Sequence, residues 1–114
     1  KILDNTELEV CATCVRVPVF HGHSESIYAE FASEIDLAKA ARELKQAESI
    51  VFGENTYLTP RDLGSSNDSH VCRLRCGTGP NSVCFWNVGH NVRLGAATNA
   101  VRILLKHAQL AGRI

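Results

Sequence analysis

Val71-Cys-Arg-Leu-Arg-Cys76 and Val83-Cys-Phe-Trp-Asn-Val88 flank the six residues Gly77-Thr-Gly-Pro-Asn-Ser82. Two runs rich in β-branched and aromatic residues, separated by a cluster of turn formers, predict a β-hairpin. The central six also share a superficial pattern with a dinucleotide-binding glycine loop. That match is weak, because Ser82 stands where the third glycine would be and no helical periodicity follows. The hairpin is the better reading, and it makes an antiparallel sheet the centre of the fold.

Upstream of the hairpin, residues 53–69 are rich in Gly, Pro, Ser and Asn and read as a long surface loop. A short strand at Ile50-Val-Phe52 precedes it. Before that, Leu37, Ala40, Ala41 and Leu44 recur at helical spacing, predicting a helix through Gln46 with Ser33 as its N-cap. Ser26 to Phe31 alternates, with Ile27, Ala29 and Phe31 on one face, as a half-buried strand does. Val10 to Phe20 reads as another strand, with Val15, Val17 and Val19 toward the core and Arg16, Pro18 and Phe20 opposite. Pro18, which has no N–H, confines the far end of that strand to an edge. Residues 1–7 read as the end of a helix. Downstream, Asn91 is expected to cap a final helix whose apolar face is Leu94, Ala97, Val101, Leu104, Leu105 and Ala108, with Gly112 as the stop. The result is an α+β layout with a largely antiparallel sheet and helices on one face.

The length, 114 residues, predicts one domain with a modest core. Twelve basic and twelve acidic residues cancel, so there is no electrostatic footprint for nucleic acid. No apolar run has the length of a membrane span. The chain contains no methionine, and Lys1-Ile-Leu-Asp4 leads straight into folded-looking sequence without a signal-peptide pattern. It therefore reads as a piece of a longer protein. With no secretory context, the five cysteines are expected as reduced thiols in a cytoplasmic protein. Cys11-Ala-Thr-Cys14 has zinc-like spacing, but inside a strand its two thiols would face opposite sides. Cys72 and Cys76 are placed on one strand face, without further ligands. No metal site is expected.

The residues with chemistry to offer lie in Arg16-Val-Pro-Val-Phe-His-Gly-His23-Ser-Glu-Ser26. An arginine within an apolar run needs a partner, because removing its charge from water is costly. Seven residues later His23 follows a flexible glycine, and histidine is the side chain whose ordinary titration lies nearest neutral pH. Together they read as an anion clamp and a proton shuttle. On residue chemistry alone, a structural salt bridge for Arg16 and a surface or satisfied core position for His23 stand beside that reading.

The stretch Cys14-Val-Arg-Val-Pro-Val-Phe-His-Gly-His-Ser-Glu-Ser26 resembles the strand-and-turn signature of the aspartate-β-semialdehyde dehydrogenase family. The resemblance continues, in the family's order, at Tyr57-Leu-Thr-Pro60, Val71-Cys-Arg-Leu-Arg75 and Asn91-Val-Arg-Leu-Gly-Ala-Ala-Thr-Asn-Ala-Val101. It implies the architecture of the glyceraldehyde-phosphate dehydrogenase C-terminal domain. It also implies a homodimer and, in the whole enzyme, NADPH-dependent reduction of aspartyl phosphate to aspartate semialdehyde and phosphate, a step of amino-acid biosynthesis. Residue by residue, His23 becomes the catalytic acid/base, Arg16 the clamp on the substrate's α-carboxylate, and Asn99 a contact near the nicotinamide of NADP. His21 becomes a neighbour that tunes His23. Residues 1–93 become part of the catalytic and dimerisation domain, and residues 94–114 a helix that packs on a nucleotide-binding domain. None of the five cysteines stands in the family's nucleophile motif, and no nucleotide-binding glycine loop opens the chain. The 114 residues alone are thus expected to be inactive. Phe85-Trp-Asn-Val-Gly-His90 carries a histidine where the family tends to have an acid. The alternative is a stand-alone, non-catalytic dimerisation or interaction module derived from the family.

Overall fold

The expected hairpin forms between β3 (Ser69–Cys76) and β4 (Ser82–Gly89) in the computed structural model, which describes residues 4–113. Ser82 closes the turn: its hydroxyl donates to the Gly79 carbonyl at 2.9 Å and accepts from the Gly79 amide at 3.0 Å. The other elements are β1 (His23–Glu30), α1 (Leu37–Gln46), β2 (Ile50–Gly53), a 3₁₀ turn (Pro60–Leu63), a π-helical stretch (Arg93–Thr98) and α2 (Asn99–Leu110). The strands form one four-stranded sheet in the order β1-β4-β3-β2.

That sheet is mixed rather than antiparallel throughout. β1 and β3 both run antiparallel to β4, but β2 joins β3 in parallel. The reason lies in the connection: residues 54–68 carry the chain back to the same end of the sheet, as a parallel pairing requires. β4 lies between two partners and supplies much of the core. Val83 and Val88 are buried on it, Val71 and Cys72 on β3, and Leu63 is buried in the 3₁₀ turn. Ile27 pairs with Phe85 and Ala29 with Val83 on one face, so the alternation expected for β1 holds. Phe31, expected on that face, lies beyond the strand end and is exposed.

The ladder between β3 and β4 slips between Cys72 and Arg75, where Arg73 has a φ of 58°. An extra residue in one strand reverses the facing of everything after it. Cys72 pairs with Trp86 and Cys76 with Val83, positions that point to opposite faces of β4. The expectation that the two thiols share a face is thereby overturned.

Val10 to Phe20 forms no strand, contrary to its apolar alternation. The Val19 amide bonds back to the Val17 carbonyl at 2.9 Å, a tight turn around Pro18 that breaks the extended path. Val15, Val17, Val19 and Phe20 are exposed rather than turned to a core. Of the helix end expected at residues 1–7, the first three lie outside the described residues, and residues 4–7 are not helical.

The helix α1 starts three residues later than expected. Asp36, not Ser33, is its N-cap, and its carboxylate accepts the Lys39 amide at 3.0 Å. That bond holds the Asp36 carboxyl below its ordinary range. The helix packs against β2 and β3. The helix α2 continues directly from the π-helical stretch before it. It ends as expected at Gly112, whose φ of 63° suits glycine. The Arg113 amide bonds the Ala108 carbonyl at 2.9 Å and the Gly112 amide the Gln109 carbonyl at 3.0 Å, a Schellman stop.

Candidate active-site turn

His21-Gly22-His23 lies where β1 enters the sheet beside the end of β4, with His23 paired to Gly89. Gly22 has a φ of 97°, a conformation side chains resist, and a Cβ there would lie 2.7 Å from Cβ of Pro60. The turn therefore rests directly on the 3₁₀ turn. That support is itself fixed. Asp62 accepts from both the amide and the hydroxyl of Thr59 at 2.7 Å, and the Thr59 hydroxyl holds its carboxyl below the ordinary carboxylate range. The Trp86 indole N–H donates to the Leu58 carbonyl at 2.8 Å and ties the loop to β4.

From the other side, the Gly22 amide donates to Oδ1 of Asn91 at 2.8 Å. The ring of His21 stacks on that of His90 with centroids 4.6 Å apart. His90 is buried, and its Nδ1 has no hydrogen-bond partner among the described residues. Burial disfavours its charged form, as do the neighbouring His21 and Arg93, so its pKa is lowered. The His90 carbonyl accepts from the amides of Arg93 and Gly95, each at 3.2 Å, and so begins the π-helical stretch.

Of the three site residues read from sequence, His23 is the first residue of β1 and is exposed. Arg16 is exposed on the irregular segment before the turn, and Asn99 is exposed at the start of α2. Among the described residues, no hydrogen bond or ion pair joins these three to one another. Glu25, on the same face as His23, accepts from Nδ2 of Asn87 at 3.1 Å, and Asn87 in turn accepts from the Ser69 hydroxyl at 2.5 Å. The sequence reading missed Asn91 and His90 as partners of the turn. Asn91 was expected to cap the last helix; instead its side chain reaches 69 residues back to Gly22. The available signal was a polar pair placed directly after an apolar strand, where the chain leaves the sheet.

Among the described residues no helix is long and apolar enough to cross a membrane, and no group of three or more His, Cys, Asp or Glu is placed to hold a metal.

Residues 1–94 match the family model described as the semialdehyde dehydrogenase dimerisation domain. Aspartate-semialdehyde dehydrogenase of Campylobacter jejuni is 41% identical, over 99% of this chain and 34% of its own. That of Prochlorococcus marinus is 40% identical, over 90% of this chain and 32% of its own. Among solved structures, aspartate semialdehyde dehydrogenase II from Vibrio cholerae complexed with ASA superposes with a TM-score of 0.76 at 39% identity. That match covers 81% of this chain and 28% of the other. The Francisella tularensis enzyme shares the fold with a TM-score of 0.79 at 24% identity, over 90% of this chain and 31% of its own. The chain thus spans about a third of the length of the curated relatives it matches. With its sheet, its His-Gly-His turn and the match over residues 1–94, the chain belongs to the semialdehyde dehydrogenase family, in the part that forms the dimerisation domain.

Proposed function

We propose that this chain acts within a longer, cytoplasmic aspartate-semialdehyde dehydrogenase, to which it contributes the acid/base His23 and the substrate clamp Arg16. The reading is carried by one observation: in a chain of this family, the exposed His23 follows a turn held by Gly22, Asn91 and the His21–His90 stack. A group that moves protons must be reachable and fixed in direction. Exposure at the head of β1 supports the first requirement, and the bonded turn supports the second. His23 takes the proton of a cysteine nucleophile supplied elsewhere in the enzyme and returns a proton to the substrate oxygen. Arg16, on an exposed segment outside the sheet, offers a planar fork to the substrate α-carboxylate.

The implied cofactor is NADP. The surface fits its approach: a Cβ at Gly95 would meet nothing within 4 Å, and Asn99 is exposed four residues later. Asn99 would hold the nicotinamide end through its amide. The bound cofactor supplies the hydride that reduces the acyl carbon. In the same reading α2 packs on the nucleotide-binding domain and the sheet pairs with a second copy. The exposed apolar side chains of α2 and of residues 15–20 support both contacts.

The test is NADP- and phosphate-dependent oxidation of aspartate semialdehyde by the full-length protein, followed by NADPH absorbance, with its mass in solution measured alongside. A dimer that turns over supports the reading. A folded protein with no turnover on this substrate refutes it.

A further inference from the structure

We infer that Asn91 is a positioning residue for His23, acting through Gly22, with His90 as a second clamp on the same turn. The inference rests on the acid/base reading of His23 and adds what holds that residue in place. Gly22 lies outside the β1–β4 ladder, which begins at His23, so its amide has no strand partner. Asn91 supplies the acceptor, at 2.8 Å in a partly buried setting. A buried amide left unpaired is costly, so this bond selects one conformation of the turn. Gly22 is one peptide unit from His23. Its unusual φ of 97° sets the path by which the chain enters β1 at His23.

His90 points independently to the same turn. Its ring is buried, and its Nδ1 has no hydrogen-bond partner among the described residues, so its position is set by packing. The ring lies at 16° to that of His21, so its flat face covers the residue on the other side of Gly22. Asn91 and His90, adjacent in sequence, therefore hold the turn by its backbone and by its first side chain. Neither is assigned a contact with substrate.

The experiment uses the full-length enzyme with Asn91→Ala, Asn91→Asp and His23→Ala, and reads hydrogen exchange at the Gly22 amide together with kinetics. In Asn91→Ala, exchange at Gly22 should rise by about tenfold or more while Cys72 and Val88 keep their protection. In the same variant kcat should fall by up to ~10²-fold with KM little changed, as expected for a misdirected catalytic group. Asn91→Asp, which keeps the acceptor oxygen, should restore both toward wild type. Should Asn91→Ala not fold, Asn91→Ser, whose side chain is too short for the same reach, takes its place. Unchanged exchange at Gly22, or faster exchange with unchanged kcat, would overturn the inference. A fully active His23→Ala enzyme would instead sink the acid/base reading, and the Gly22 exchange would still uphold or overturn the anchoring by Asn91.

Discussion

The ring of His21 lies nearly flat on the ring of His90, with centroids 4.6 Å apart and planes 16° from parallel. His90 is the buried member of the pair, and a charge on His21 disfavours one on His90. Its pKa lies below the ordinary value near 6.5, chiefly through burial and then through the charges of His21 and Arg93. The unfolded chain therefore binds that proton more readily than the folded one. The stability this group contributes is complete above about pH 6.5 and is lost as pH falls through the lower, folded value. Urea midpoints should drop across that range. His90→Phe, which keeps a stacked ring without titration, should flatten the drop. Identical slopes for the two proteins would contradict the assignment.

Gly22→Ala tests the turn from its other side. The substitution combines a left-handed φ with a Cβ placed 2.7 Å from Pro60. It should cost ~1–3 kcal/mol, the range for a non-glycine residue held in such a conformation. Chemical denaturation measures it, and a variant as stable as wild type would mean that the turn rearranges freely.

The helix α2 has its own, narrower anchor. Arg102 donates to Oδ1 of Asp68 and to the Asn67 carbonyl, at 2.8 and 2.9 Å, while Ile103, Leu104 and Leu105 remain exposed. The ion pair is about one-third exposed on each side, so its contribution to global stability is small, ~0–1 kcal/mol. Arg102→Met should leave the global midpoint nearly unchanged yet raise amide exchange along residues 99–110. A loss of several kcal/mol would show that the helix is part of the core.

Arg16→Lys replaces a fork with a point charge. In the full-length enzyme it should raise KM for aspartate semialdehyde more than it lowers kcat. The opposite pattern would move Arg16 out of substrate binding.

Local patterns in this chain were legible where neighbours in sequence decide the structure. The hairpin follows from its own six turn residues, and the stop of α2 from Gly112. Patterns that depend on distant partners were not. Val10 to Phe20 alternates like a strand, yet Pro18 sits in a tight turn and no strand of the sheet pairs with that segment. Asn91 looks like a helix cap because the cap residue and a tertiary acceptor use the same amide oxygen. Only the fold brings Gly22 within its reach. The facing of Cys76 was hidden by a bulge that no local residue type announces. His23 could be read from motif and chemistry, but the parts that hold it, His90 and Asn91, lie at the far end of another strand.

The most direct measurement compares His23→Ala with His21→Ala in the full-length enzyme, by kcat for aspartate semialdehyde oxidation. The account predicts a loss of ~10²–10⁴ for His23→Ala, the range for a positioned acid/base. It predicts a far smaller loss for His21→Ala, which removes only one side of the stack. Equal losses, or an unimpaired His23→Ala enzyme, would contradict it.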